Sequence, residues 1–170
     1  MKKFVSFLAG LIATMAVQTQ AQSLNKIITD PQLEQSVLVG HVDRAGLLKG
    51  EFSHYYNSQY ETYKVSEKLV KKITPKVENI KITIVLGTWC MDSKIQVPRF
   101  MKIMDALAIP AEKISMIALD SRKEALVIDM GPYSIERVPT FIFYRDGKEI
   151  GRIVESPRKS LEKDILKIVR

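Results

Sequence analysis

The only cysteine of the chain, Cys90, is the residue with the clearest capacity for chemistry. It lies in the stretch GTWCMDSK, residues 87–94, and Ser93 stands three residues later, where a dithiol redox site would have a second sulfur. A thiolate attacks disulfides, whereas a serine hydroxyl does not displace sulfur at neutral pH. Cys90 is therefore expected to form a mixed disulfide that only a second thiol, from the substrate or from outside, can release.

The residues around Cys90 are expected to favour its thiolate. The preceding run KITIVLG (81–87) is rich in β-branched residues and predicts a buried strand, and apolar residues with helical spacing follow it. At the start of a helix, unpaired N–H groups and the macrodipole stabilise an anion. Ser93 is expected to donate a hydrogen bond to the sulfur and Lys94 to add positive charge, while the Asp92 carboxylate opposes both.

The first 21 residues have the pattern of a signal peptide. Lys2 and Lys3 precede an apolar run from Phe4 to Val17, and small residues favour cleavage after Ala21. The run is shorter than the ~20 apolar residues of a membrane-spanning helix. The sequence thus predicts an exported protein, periplasmic or secreted, which meets a membrane only through this segment before cleavage.

The charge and the cysteine content of the chain argue against several kinds of function. The chain has 26 Lys and Arg against 19 Asp and Glu, a formal net charge of +7, with the two signs mixed along it. Nucleic-acid binding is not predicted, because it usually requires a concentrated basic stripe. One cysteine excludes an intramolecular disulfide but leaves open a homodimer linked through Cys90. No cofactor and no metal is expected, and His41 and His54 are interpreted as ordinary histidines.

Residues 66–170 predict an α/β domain. Two buried strands are separated by the helix that follows Cys90, which makes them parallel, and a terminal hairpin adds antiparallel strands. This order predicts a mixed β-sheet with helices on both faces. Beyond the Cys90 region, the predicted elements are a strand at 113–120, a helix at 121–131, a hairpin at 140–154 around Asp146-Gly147, and an amphipathic helix in the last fifteen residues.

Residues 22–65 are predicted to form a helical N-terminal extension packed on this core. Asp30-Pro31 has the residue types that open a short helix, and SVLVGHV (36–42) predicts a strand. Aromatic residues from Phe52 to Tyr63 recur at steps of about one helical turn. They predict a helix with one aromatic face.

Two motifs together resemble the thioredoxin-like superfamily over about residues 66–170. They are Trp-Cys-x-x-Ser with Pro98 eight residues beyond the cysteine, and ERVPTFIFYRDGKEIGRI (136–153). The resemblance implies an α/β fold and an exported monothiol member of the superfamily. The sequence departs from reductases of the family at two positions. Ser93 stands where those proteins have a second cysteine, and Ile84 stands where they have a buried acid.

The resemblance also implies roles for residues near the cysteine. Pro139 would be a cis-proline facing it, and Val138 would offer its backbone N–H and C=O to an extended substrate, as in strand addition. Trp89 would flank the cysteine at the surface. Arg137, two residues before the proline, either stabilises the thiolate or a substrate carboxylate or is an ordinary loop arginine.

Two function hypotheses remain. The first is thiol–disulfide exchange through Cys90 on protein or peptide thiols and disulfides, with an external small thiol as an optional partner; the sequence favours such an enzyme. The alternative is a non-catalytic thioredoxin-like module that binds peptides or proteins. Three other functions have weak support. The sequence lacks the Gly-Gly-Asp element of a glutathione-using enzyme and the second cysteine of a copper site. Thr88 is only two residues before Cys90, which is the wrong spacing for a peroxidase.

Overall fold

A computed structural model describes residues 23–170, so the predicted signal peptide lies outside the described residues. The strands in this range are β1 (Lys26–Thr29), β2 (Ser36–Val42), β3 (Ile80–Leu86), β4 (Ile114–Ala118), β5 (Thr140–Arg145) and β6 (Lys148–Val154). The α-helices in the same range are α1 (Arg44–Leu47), α2 (Phe52–Thr62), α3 (Glu67–Ile73), α4 (Met91–Ala106) and α5 (Leu161–Ile168). No helix of this part of the chain is both long and apolar enough to cross a membrane.

The strands form one mixed sheet in the order β1-β2-β4-β3-β5-β6. Strands β3 and β4 are parallel and are connected through α4, whereas the other neighbouring pairs are antiparallel. The β5–β6 hairpin turns at Asp146 and Gly147, which both have positive φ, as a tight hairpin turn requires. The mixed sheet with flanking helices that the sequence predicts is confirmed. The sequence predicts helices on both faces, but the buried hydrophobic residues of the five described α-helices belong to the core of one face.

One face of the sheet carries the main core. Its centre is Phe100 of α4, which is fully buried and stacks on Phe141 with 4.3 Å between ring centroids. Alternate residues of β3, including Ile82 and Ile84, point to the same cluster, as the period of two in a strand requires. Buried residues of α1, α2, α3 and α5 join this cluster as well.

The N-terminal extension is part of the sheet. Its strands β1 and β2 form a hairpin, and β2 pairs with β4, so residue 41 lies opposite residue 117. Helix α2 then packs along α4, and Phe52 and Tyr56 are buried between the helix and the core. The strand at 36–42 and the aromatic helix are confirmed.

The short helix predicted at Asp30-Pro31 is wrong. The segment is the turn between β1 and β2, and the buried Asp30 carboxylate accepts hydrogen bonds from the N–H groups of Gln32 and Leu33. It also accepts two hydrogen bonds from Ser121, at 2.7 Å each. Burial raises the pKa of Asp30, but these hydrogen bonds outweigh burial and lower that pKa to about 2. The carboxylate thus ties the hairpin to the segment that follows β4.

The helix predicted at 121–131 is also wrong. The Asp120 carboxylate accepts the N–H groups of Arg122 and Glu124 and folds the chain into a tight turn. Lys123 has a φ of 65°, outside the helical region. Side-chain hydrogen bonds of this kind compete with helix formation at the very position where a helix would begin.

The segment after this turn covers the second face of the sheet. It inserts Ala125 and Val138 against Val85, Ile117 and Leu119, which together form a smaller apolar cluster. The segment contains one 3-10 turn, Gly131–Tyr133, and is otherwise irregular. This second cluster is the support for the residues around Cys90.

Candidate functional site

Cys90 lies where β3 ends and α4 begins, as the sequence predicts. Its N–H donates to the Gly87 carbonyl at 3.0 Å, which closes a turn after the strand. Its own carbonyl accepts the Lys94 N–H at 3.0 Å, the first hydrogen bond of the helix. With φ −82° and ψ 128°, Cys90 is the N-cap residue, and its side chain is partly exposed. The cysteine is therefore at the start of the helix, but its side chain makes no hydrogen bond with the N–H groups of the first turn.

The sulfur also contacts the loop before β5. Cys90 Sγ donates a hydrogen bond to the Val138 carbonyl at 3.2 Å. The Val138–Pro139 peptide bond is cis, the isomer that the resemblance implies, and both residues are buried. Within residues 23–170 the Val138 N–H has no hydrogen-bond partner. An accessible thiol thus adjoins a residue whose backbone N–H is an unused donor.

Trp89 is fixed on the other side of the cysteine. Its Nε1 donates to the Leu119 carbonyl at 2.9 Å, and the ring is half-buried. The indole lies over Gly87: a Cβ built there would be 2.7 Å from Trp89 Cε2 and 2.8 Å from Nε1. Only a glycine at position 87 leaves enough space for the indole ring. Gly87 is therefore a site residue that sequence reasoning missed.

Four further apolar residues pack against the second cluster, as Trp89 and Cys90 do, and sequence reasoning missed these as well. The first two of them, Ile128 and Met130, belong to the segment predicted to be helical, and the other two follow it. The sequence feature that indicates them is the Gly131-Pro132 turn. It separates two pairs of apolar residues, and the members of each pair are two positions apart. Partly buried against the second cluster are Ile128, Met130, Tyr133 and Ile135.

Ser93 is fully buried beneath the turn. Its Oγ accepts the Gly87 N–H at 3.2 Å and so ties the first turn of α4 to the end of β3. The hydrogen bond expected between the Ser93 hydroxyl and the Cys90 sulfur is not among those of residues 23–170. In the structure, Ser93 therefore stabilises the turn that carries the cysteine.

Of the two charged residues in the first turn of α4, Lys94 has surroundings different from those expected. Lys94 is nearly buried, and its ammonium lies 4.5 Å from the ring centroid of Tyr55 and 3.8 Å from a Glu51 carboxylate oxygen. Its positive charge is thus directed toward α2 and not toward the sulfur. Asp92 is half-buried in the first turn of α4, where the helix dipole favours a carboxylate.

Arg137 is not brought to the sulfur. Its guanidinium lies 2.8 Å from the Glu155 carboxylate, and two thirds of the side chain is exposed. The hydrogen bond with Glu155 raises the pKa of the Arg137 guanidinium. Of the two interpretations of this residue, the structure shows a paired loop arginine.

The extension also reaches the site through Thr88. The Thr88 hydroxyl oxygen is buried and accepts the N–H of Leu38, in β2, at 3.1 Å. Ile84, which replaces the family's buried acid, is fully buried in the main core. His41 lies in β2 and His54 on the exposed side of α2, and within residues 23–170 no group of three His, Cys, Asp or Glu residues is arranged to hold a metal ion.

Comparisons with known proteins agree with this geometry. A family model described as Thioredoxin matches residues 49–166. Thioredoxin H-type 1 of Nicotiana tabacum is 31% identical over 94 residues, which cover 54% of this chain and 69% of that protein. The TPR repeat-containing thioredoxin of Arabidopsis thaliana is 30% identical over 94 residues, or 55% of this chain, but the match spans only 23% of that protein.

A solved structure shows the same fold at low sequence identity. It is a Pseudomonas aeruginosa protein of unknown function, with a TM-score of 0.55 and 13% identity. The similarity covers 75% of this chain and 90% of that one.

Proposed function

The chain belongs to the thioredoxin family, and from this premise we propose that it exchanges thiols and disulfides through the single sulfur of Cys90. The observation that carries the proposal is the contact of Cys90 Sγ with the Val138 carbonyl, 3.2 Å away, at a partly exposed helix N-terminus. The partly exposed sulfur at this position is open to a substrate sulfur. The proposed substrates are disulfides and thiols of proteins or peptides.

The proposed first step is attack of the Cys90 thiolate on one sulfur of a substrate disulfide. A bond forms between Sγ and that sulfur, the substrate S–S bond breaks, and the second substrate sulfur leaves as a thiolate that takes a proton from water. An extended substrate would pair with the free Val138 N–H beside the sulfur. Trp89 and the partly buried apolar residues next to it would contact the flanking side chains.

The proposed second step depends on a thiol that this chain does not supply. Ser93 is buried and bonded to the Gly87 N–H, so it has neither the chemistry nor the access of a resolving residue. A second substrate thiol that attacks the mixed disulfide completes an isomerisation without net oxidation. A small external thiol that attacks it leaves the substrate sulfur reduced and is itself left in a disulfide after a second exchange.

We further propose that this activity takes place outside the cytoplasm. The support is the signal-peptide pattern of residues 1–21. Disulfides persist in the periplasm and in secreted proteins, where an exchange catalyst finds its substrates.

Recovery of a scrambled-disulfide protein, measured with a small external thiol present, tests the proposal. The wild-type chain is expected to speed the recovery, and Cys90→Ser is expected to abolish the effect. A matched control moves the only thiol to an exposed position of α2, as Cys90→Ser combined with Ser58→Cys. This control keeps one thiol per chain but should not catalyse above a free-thiol background.

Equal catalysis by the wild type and the relocated-thiol variant would refute the site proposed for Cys90. No catalysis by the wild type, together with equal peptide binding by wild type and Cys90→Ser, would support the non-catalytic binding module. Ser93→Cys adds an independent readout. Under mild oxidation it should lose two free thiols, because residues 90 and 93 lie on one turn of the chain.

A further inference from the structure

A groove of about 960 Å³ runs between β6 and α5. Residues 150–154 form one wall, and polar and apolar residues of α5 form the other. Within the described sheet, β6 is an edge strand whose only strand neighbour is β5. The groove therefore lies along an open edge of the sheet.

The backbone of this edge has unused hydrogen-bonding groups. The N–H of Glu155 donates to the Pro139 carbonyl at 2.7 Å, so the N–H of this residue points toward β5. In an antiparallel ladder the residues alternate, which turns the N–H and C=O groups of Arg152 and Val154 away from β5. These groups point to the side where another strand could pair.

The groove is strongly basic. Five cationic side chains that line it have no ion-pair partner within 4.0 Å among residues 23–170. They are Arg158, Lys159, Lys163, Lys167 and Arg170. The one acid in the lining, Asp164, accepts the Arg158 N–H. A sixth cation, Arg152, is already paired with Glu149 at 2.6 Å.

The floor of the groove is apolar and closely packed. Ile150, Ile153, Leu166 and Ile168 contribute to its lining. At Gly151 a Cβ would lie 3.1 Å from Ile168, so the glycine lets α5 approach the strand. An apolar floor with a cationic rim fits a segment whose alternate side chains are apolar and acidic.

We propose that this groove binds an extended acidic segment of a partner protein, which adds to the sheet beside β6. Main-chain hydrogen bonds to Arg152 and Val154 give the pairing, and the five cations select for acidic side chains. Basic residues on an edge also discourage pairing between copies of the chain, which leaves the edge available to a partner of opposite charge. The site does not involve Cys90 and goes beyond the exchange reaction.

The probe for this site is a short fluorescein-labelled peptide of alternating glutamate and valine, with binding followed by fluorescence anisotropy. Saturable binding that weakens with added salt is expected. Lys163→Glu combined with Lys167→Glu should weaken binding about tenfold or more. Lys68→Glu with Lys71→Glu makes the same charge change on exposed positions of α3 and should change affinity by about twofold or less.

A second peptide separates strand pairing from simple charge attraction. The same sequence with N-methyl groups on alternate residues keeps its charge but cannot form a full edge ladder, so it should bind at least about tenfold more weakly. Equal binding of the two peptides would overturn the proposal, and so would tighter binding of a single-stranded oligonucleotide or of anionic phosphatidylglycerol vesicles. An equal loss in the α3 variant would also overturn it. Cys90→Ser should bind the probe like the wild type.

Discussion

Replacing Gly87 with alanine tests the packing of the only tryptophan beside the only cysteine. The added Cβ would lie within 2.8 Å of two atoms of the Trp89 ring, closer than carbon atoms approach without displacement. The ring must shift, and its hydrogen bond to the Leu119 carbonyl, now 2.9 Å, is then lost.

The size and sign of the effect follow from three contributions. Overpacking of a well-packed site costs about 1–3 kcal/mol, and the lost hydrogen bond costs about 0.5–1.5 kcal/mol. Alanine in place of a glycine with ordinary φ stabilises by about 0.4–1 kcal/mol through the unfolded chain. The collision outweighs this gain, so Gly87→Ala should lower the free energy of unfolding by about 0.5–4 kcal/mol.

Urea unfolding measures this change, with circular dichroism for the free energy and the emission of Trp89 for the ring. The emission of the folded variant should differ from that of the wild type, because the indole moves. Trp89→Ala provides the control, since it removes the ring that collides. In that background Gly87→Ala should cost nothing or stabilise by about 0.4–1 kcal/mol.

Two outcomes would refute the packing argument for Gly87. One is a Gly87→Ala variant as stable as the wild type with unchanged emission. The other is the same loss of stability with and without the indole, because the cost would then arise from the backbone and not from Trp89.

Two further predictions concern stability. Phe100→Ala should lower the free energy of unfolding by about 3–5 kcal/mol in urea, because it empties the centre of the core; a loss below about 1 kcal/mol would contradict its central position. The pKa of Asp30 is lowered from 3.8 to about 2 on folding, so its contribution is present above pH 3.8 and is lost as the pH falls toward 2. Asp30→Asn should be less stable at pH 7, and the difference from wild type should shrink over that acid range; a constant difference in urea midpoints would refute it.

Most of the sheet could be predicted because its strands have strong local patterns. The runs that became β3 and β5 consist mostly of β-branched, aliphatic or aromatic residues, and most of their residues are buried. The Asp146-Gly147 turn fixed the last hairpin through residue types that accept positive φ. The position of Cys90 could be predicted because the β-branched run of the strand gives way there to apolar residues with helical spacing.

The segment after β4 could not be predicted from its pattern. Its composition suits a helix, but Asp120 captures the N–H groups of the first turn, and Ala125 is drawn into the second face of the sheet. Tertiary burial therefore overrides a weak local preference. The same override makes Asp30 a turn residue, since its partner Ser121 is 91 positions away.

The roles of two site residues depended on contacts that spacing does not reveal. Ser93 is one turn from Cys90, but its hydroxyl oxygen is used by the Gly87 N–H. Lys94 is in the same helical turn, but its ammonium lies over the ring of Tyr55 in α2. The first outcome depends on the geometry of the turn between β3 and α4, and the second on how the extension folds over α4.

The pairing of β2 with β4 sets the smallest unit of this protein that can be excised or grafted. A fragment that begins at residue 49, where the family match starts, would lack the strand that covers β4 and the buried residues Leu38 and Val42. The exposed edge of β4 would promote aggregation during recombinant expression. The Thr88 hydroxyl oxygen would also lose the Leu38 N–H whose hydrogen bond it accepts. The chain should accordingly be cut ahead of β1, near residue 23, so that every strand keeps its neighbours.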